Sequence, residues 1–286
     1  KRVDKQWTEK GFWNEFSVSN KKADAIRSIL DEEYALIPEK ERVGKGMVYV
    51  CKAIASGLCK RKTMESLSDK LEFESRWKIS EKSSRLVFKF VENLLAIAEA
   101  REDIALTDLG FYLYSELVRL DPTLLVETIS LVESWADSED WRAREVAGAS
   151  FTGVLRKHPD VVLPIYKEWI KSSNPNLRRC VTESCRPFAS IKWLRDPDKN
   201  DPVLEILSEV KADPSTYVRK SVGNNLKDLS KYMPEKVLDL VESWIKEAKI
   251  EVTLDLASKT KSDLGEKGFH LVWTLNQALR WLHQRN

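Results

Sequence analysis

The sequence predicts an all-α fold, an α-solenoid of stacked helical hairpins, on three observations. One segment recurs: Trp141-Arg-Ala-Arg-Glu-Val-Ala-Gly148 aligns without a gap on a later copy at an offset of 75. Arg144 meets Arg219, Gly148 meets Gly223, Phe151 meets Leu226, Pro159 meets Pro234, and Trp169-Ile170-Lys171 meets Trp244-Ile245-Lys246. A third copy lies between them, with Leu177-Arg178-Arg179-Cys180-Val181 matching residues 143–147 at an offset of 34. Apolar residues recur at helical spacing along most of the chain, and no stretch alternates as a strand would. Finally, 10 Gly and 10 Pro in 286 residues leave little room for the turns of an all-β fold. Hairpins repeating every 34 to 41 residues cannot bury their apolar faces singly, so they stack as HEAT-like units do. The expected organisation is a single domain over 1–286. Residues 1–106 form an N-terminal helical cap region, 107–248 the repeats, and 249–286 a C-terminal helical cap.

Taken in order, residues 1–19 carry Trp7, Phe12, Trp13 and Phe16 without a clean period and read as an irregular arm. Helices are expected over Asn20–Leu36, ended by Pro38, and over Glu41–Cys59, closed by Lys60-Arg61-Lys62 as the macrodipole favours. Met64–Ile79 and Ser83–Glu99 follow, the latter with Leu86, Phe90, Leu94 and Ile97 on one face. Thr107 is read as the N-cap of a helix to Leu120, which Asp121-Pro122 breaks before a helix over Pro122–Trp135. The repeats then place helices over Ser138–Lys157, Asp160–Ser172, Asn176–Phe188, Pro202–Lys211, Ser215–Tyr232 and Pro234–Ala248. Thr253–Lys259 is a short helix and Lys267–Gln284 the last, carrying Trp273, Leu279 and Trp281. Trp135, Trp169 and Trp244 end equivalent second helices and are expected in the core.

Composition narrows the chemistry. Cys51, Cys59, Cys180 and Cys185 lack the spacing of a metal motif, and His158, His270 and His283 are scattered, so no metal and no cofactor is expected. The cysteines fit a reduced, intracellular protein that uses them as small core residues. No apolar run approaches the roughly twenty residues of a membrane span, so a cytoplasmic protein without membrane contact is expected. A net charge of +2 hides a local bias: from 141 to 231 bases exceed acids by six, which suits a polyanionic partner or a solvated face.

The repeats build one surface. Ala143, Val146, Ala147, Ser150 and Val154 form the apolar stripe of the first helix, and Trp141, Glu145, Gly148 and Thr152 the stripe beside it. The matching residues are Arg179, Thr182 and Arg186 in the second copy, and Lys220, Gly223 and Lys227 in the third. Stacking sets these stripes side by side as a concave basic face with rows roughly 10 Å apart, a spacing that lets one strand of a duplex be tracked. Guanidinium groups suit phosphate through their planar fork. Arg144, Arg178 and Arg219 fit either phosphate or the bonds that staple one repeat to the next. Gly148 and Gly223, each costing roughly 1 kcal/mol in a helix interior, require either close helix packing or the close approach of a ligand backbone. The residue after the shared arginine reads Glu145, Arg179, Lys220, one acid against two bases. Glu145 lies one turn after Trp141, so a carboxylate and an aromatic wall point the same way and suit a cationic guest. An ordinary Glu145–Arg179 ion pair over a packed Trp is the competing reading.

Three segments, Trp141-Arg-Ala-Arg-Glu145, Asn176-Leu-Arg-Arg-Cys-Val-Thr-Glu-Ser-Cys-Arg-Pro187 and Val218-Arg-Lys-Ser-Val-Gly-Asn-Asn-Leu-Lys-Asp228, make the chain resemble the HEAT-like-repeat DNA alkylation-repair glycosylases, the AlkC/AlkD superfamily. The resemblance is clearest over 107–248. Arg186-Pro187 and Trp193 bring it nearer the AlkC branch, whereas the AlkD branch has a tryptophan after the glycine where this chain has Asn224. The resemblance implies base excision repair: hydrolysis of the N-glycosidic bond of cationic alkylated bases, 3-methyladenine being typical, in duplex DNA, by a monomer. It implies Glu145 as the acid that stabilises the oxocarbenium-like sugar and positions water, with Asp228 as a second acid, or else as an ion-pair partner of Lys227 or Lys231. Trp141, Trp193, Asn224 and Asn225 are the expected sugar or base contacts. Arg144, Arg178, Arg179, Arg186, Arg219, Lys220 and Lys227 are the expected phosphate contacts. Two other functions fit the same scaffold: a non-catalytic DNA-binding protein, and a protein-interaction solenoid.

Overall fold

Several of the described helices start where a polar side chain accepts a first-turn N–H or where a proline has none to satisfy. The computed structural model describes residues 18–43, 46–60, 81–187, 191–253 and 256–283. The arm aromatics Trp7, Phe12, Trp13 and Phe16 and the expected helix over Met64–Ile79 lie outside the described residues, as do Phe188 and the side chain of Trp281. Among the described residues there are helices and no strand, and the chain divides into two compact units, Lys1–Ile129 and Ser130–Asn286.

In the first unit, α1 (Asn20–Ala35) opens on Ser19, whose hydroxyl accepts the Lys22 N–H, and ends ahead of Pro38. The expected second helix begins later, as α2 (Met47–Lys60) directly after Gly46, with Glu39–Glu41 forming a separate 3-10 turn. α3 (Glu81–Ala100) and α4 (Ile104–Leu120) follow, and α4 is the hub, packed against α1, α2 and α3 with Leu106, Leu113, Tyr114 and Leu117 buried. The N-cap of α4 is Asp103, not Thr107. Its carboxylate accepts the Ala105 and Leu106 N–H groups at 3.0 and 3.2 Å, while Thr107 sits one turn inside and returns its hydroxyl to the Asp103 carbonyl. The single helix expected over Pro122–Trp135 is two: α5 (Pro122–Glu127), in this unit, and α6 (Ile129–Ala136), which begins at its last residue and belongs to the second. Thr128 separates them, its hydroxyl bonded to the Leu124 carbonyl and to the Tyr114 hydroxyl.

The second unit holds the hairpins: α7 (Trp141–Leu155) with α8 (Pro159–Trp169), α9 (Pro175–Ser184) with α10 (Asp201–Glu209), and α11 (Thr216–Leu229) with α12 (Pro234–Glu247). Asp140 and Asn174 cap α7 and α9 through the Arg142 and Asn176 N–H groups. Proline opens α8, α9, α10 and α12, where its missing N–H costs nothing. The first helices lie side by side in the order α7, α9, α11, and α13 (Lys261–His283) packs on α11 to extend the row. α13 starts ahead of its expected bound because Gly265, at φ 67°, joins a lead-in turn to the main helix. Of the expected helix Thr253–Lys259, the described part is a 3-10 turn over Leu256–Ser258.

The register read from the repeats is the register of the structure. Arg144, Arg178 and Arg219 make one and the same pair of bonds: each Nη1 donates to the carbonyls six and five residues back, Ser138 and Glu139, Ser172 and Ser173, Asp213 and Pro214. The arginine thereby fixes the turn that delivers its own helix. The stripe Ala143, Val146, Ala147, Ser150 and Val154 is buried, and so are Trp135, Trp169 and Trp244. Phe151 meets Trp169 edge-on at 5.1 Å between ring centres.

Candidate functional site

The exposed stripe of α7 is the least occupied of the three. Trp141, the first residue of the helix, is 63% exposed. Glu145, one turn on, is exposed and has neither hydrogen bond nor ion pair among the described residues. At Gly148 a Cβ would meet no atom within 4 Å. Thr152 closes the stripe by donating its hydroxyl to the Ser184 carbonyl of α9 at 2.8 Å.

On α9 the corresponding residues are committed to one another. Arg179 pairs with Glu183 at 2.6 Å and lies over the Tyr217 ring at 4.8 Å. The ion pair that competed for Glu145 is therefore replaced by one within α9. Arg186 bridges two acids, with Nη1 on Glu183 at 2.7 Å and Nη2 on Asp228 at 2.7 Å. Ser221 donates to the other Glu183 oxygen at 3.0 Å. Glu183 and Tyr217 are the residues that sequence reasoning passed over. Glu183 was detectable, because it stands four residues after Arg179 and three before Arg186, the two spacings at which helical side chains meet.

On α11 the row ends in Lys220, exposed and without an ion pair among the described residues. Asn224 accepts from Arg280 of α13 at 3.3 Å, and Asn225 is fully buried with its amide on the Thr182 carbonyl at 3.1 Å. Asp228 is buried beside Arg186, with Lys231 at 3.0 Å and Lys227 at 3.7 Å. Burial pushes its carboxyl up, but the bonds from Arg186 and Lys231 and the charges of Arg186 and Lys227 outweigh that and hold it below the usual carboxylate range. This is the ion-pair alternative weighed for Asp228, with Arg186 added.

The geometry sorts the candidates. Arg178 and Arg219 are 8% and 4% exposed. Arg178 also forms a two-pronged pair with Asp213 at 2.6 and 2.9 Å, and Arg219 lies 5.3 Å from the Trp273 ring centre. Their guanidinium groups are turned inward, Arg178 tying α9 to the turn before α11 and Arg219 holding the turn before its own helix. Half-buried Arg144 makes the same turn bonds. Trp193 gives its indole N–H to the Leu155 carbonyl at 3.2 Å, ten residues and so about 15 Å along α7 from Glu145. It packs against the helix end and does not join Trp141. Asn225 is likewise internal. Arg179, Arg186, Lys227 and Lys231 surround the carboxylates of Glu183 and Asp228, four cations against two anions, with exposed Lys220 outside these pairs and Glu145 apart on α7.

Cys51, Cys180 and Cys185 are buried free thiols, and burial pushes each up to about 12, which favours the protonated thiol. Among the described residues no group of His, Cys, Asp and Glu is gathered as a metal ion requires, and no helix is long and apolar enough to cross a membrane.

Residues 77–260 match the model of the DNA alkylation repair enzyme family. The "Uncharacterized protein YhaZ" of Bacillus subtilis (strain 168) is 41% identical over 81 residues, 27% of this chain, and only 22% of that protein's length is matched. The fold is shared with AlkD2 from Streptococcus mutans, with a TM-score of 0.55 at 21% identity over 91% of this chain and 98% of that one. A weaker likeness, TM-score 0.46 at 20% identity over 92% of this chain and 62% of that one, is to the Pseudomonas fluorescens alkylpurine DNA glycosylase AlkC bound to DNA containing an abasic site analog.

Proposed function

The chain belongs to the DNA alkylation repair enzyme family, and from that premise we propose that it is a monomeric, intracellular glycosylase that hydrolyses the N-glycosidic bond of cationic alkylpurines in duplex DNA. One observation carries the reading: Glu145 is an exposed carboxylate without a partner among the described residues, one turn from an exposed tryptophan, whereas Glu183 and Asp228 on the sister helices are paired with arginine. An unopposed anion beside an aromatic face attracts a cation.

The reaction needs little more. Alkylation at N3 or N7 gives the purine a positive charge. Cleavage of the bond from the anomeric carbon to the base nitrogen returns the electron pair to the base, which leaves neutral without a general acid. Positive charge then develops on the sugar, where the Glu145 carboxylate stabilises it. Water adds to the anomeric carbon and gives up a proton, with Glu145 as the nearest acceptor. Trp141 walls the site. Arg179, Arg186, Lys220 and Lys227 face the phosphates. Arg179 is held for that task by Glu183 and Tyr217, and Arg186 by Glu183 and Asp228. Asp228 is thereby a positioning residue rather than a second catalytic acid.

The test is incubation with N-methylated duplex DNA and chromatography of the released bases. Release of 3-methyladenine or 7-methylguanine is the expected result. Duplex binding without release points to a non-catalytic binder. Binding should also weaken steeply with salt, because phosphate contacts release counterions, and a salt-insensitive partner would favour a protein-interaction solenoid.

A further inference from the structure

Gly148 is a glycine that the fold does not require. It lies mid-helix in α7 with no positive φ, so no backbone conformation demands it. A Cβ added there would meet open space, so no packing demands it. Its repeat partner Gly223 shows what a required glycine looks like. A Cβ at Gly223 would run into the Gln277 Cβ and come within 3.1 Å of the Thr274 carbonyl oxygen, both on α13. A helix interior loses stability by carrying glycine instead of alanine. At Gly148 that loss has no counterpart within the chain.

The surroundings say what the counterpart is. Successive steps of about 100° around the helix put Trp141, Glu145, Gly148 and Thr152 in one narrow stripe. Gly148 is thus a patch of helix backbone without a side chain, between Trp141 at one end and the Thr152–Ser184 bond at the other. Glu145 precedes it by three residues, close to one helical turn, on the same stripe. We propose that Gly148 is the floor of the reacting subsite: the deoxyribose of the alkylated nucleotide rests on the α7 backbone there, which brings its anomeric carbon within reach of Glu145. The inference rests on the glycosylase reading and sharpens it, because it assigns the sugar, and not the base, to the helix surface. The base then lies towards Trp141.

The experiment substitutes Gly148→Ala and Gly148→Leu in the full chain. It measures Tm, release of methylpurines from N-methylated duplex DNA, and binding to a short duplex carrying an abasic-site analogue. The expected result is a Tm that is unchanged or higher for Gly148→Ala, with kcat/KM for release lowered about tenfold or more, as for one misplaced methylene in a shaped site. Gly148→Leu should lower it further, and binding of the abasic duplex should weaken in the same order. Release at the wild-type rate by both variants would overturn the inference and leave the glycosylase reading standing. If the wild-type chain releases no base, the glycosylase reading falls and takes the inference with it. A fall in Tm for Gly148→Ala would show that the glycine serves packing, and would overturn the inference by that route.

Discussion

The α7 copy and its sisters α9 and α11 share a register to the residue, yet they spend their outward faces differently. On α9 and α11 the stripe, exposed Lys220 apart, is used within the protein: Arg179 and Arg186 hold Glu183 and Asp228, Gly223 admits α13, and Asn224 receives Arg280. On α7 the same stripe carries an exposed tryptophan, a carboxylate without a partner among the described residues, and a glycine open to solvent. What the repeat leaves unused in one copy is where chemistry has room. The acid at Glu145 therefore means more than its side-chain type, because its counterparts are Arg179 and Lys220.

The largest effect expected from breaking this comparison concerns the shared arginine. Arg178→Ala strands the buried Asp213 carboxylate and should cost about 3–5 kcal/mol. Arg144→Ala removes bonds to two turn carbonyls without stranding a charge and should cost about 1–2 kcal/mol. Denaturant unfolding of the two variants checks the order. Equal losses would mean that the Arg178–Asp213 pair adds nothing to the turn bonds.

Next comes the acid. Glu145→Gln should lower methylpurine release about 100- to 1,000-fold, as loss of one electrostatic stabiliser does, while duplex binding stays near wild type. Glu145→Lys gives α7 a base where its sisters carry Arg179 and Lys220. It should abolish release and tighten binding. Glu183→Gln is the contrasting variant: a positioning role predicts weaker duplex binding and a smaller loss of release. If Glu183→Gln abolishes release and Glu145→Gln does not, the catalytic carboxylate lies in the α9–α11 cluster.

The glycines give a smaller difference of opposite sign. Gly223→Ala forces a methyl against Gln277 and should destabilise by about 1–3 kcal/mol, read as a lower Tm. Gly148→Ala should not lower Tm at all.

Most of the fold was legible because repetition made it so. Offsets of 34 and 75 predicted that three arginines would occupy one position, and the structure gives them identical turn bonds. Positions that depend on contacts between distant segments were not legible in the same way. Thr107 has the right chemistry for a cap, but Asp103 stands where the chain turns and wins. The partner of the Trp193 indole N–H is the Leu155 carbonyl, 38 residues earlier, a contact that no local spacing announces. Asn225 follows Asn224 in sequence, yet one lies in the core and the other on the surface, because α9 covers only the first. For the candidate site, the acid and the aromatic could be read from their spacing. Which arginines face outward could not, since that depends on where the turns place their carbonyls.

The smallest expected effect concerns the acid that α11 carries where α7 has Gly153. Asp228 is held below the usual carboxylate range by Arg186, Lys231 and Lys227 against the opposing pull of burial. Its folded pKa is thus lower than its unfolded one, near 3.9. Such a group contributes stability above the unfolded pKa and loses it as pH falls through the folded one. Wild type should therefore exceed Asp228→Asn in Tm by a constant margin at neutral pH, and the margin should shrink below about pH 4. Asp121 and Asp140 are also held low, so both proteins will lose stability in acid, and only the gap between them reports on Asp228. A gap that persists unchanged to the lowest pH at which both proteins fold would mean that the carboxylate is stabilised by packing rather than by its cations. Asp228 would then not be what holds Arg186 towards the phosphates, and the distinction between α11 as scaffold and α7 as reacting surface would weaken accordingly.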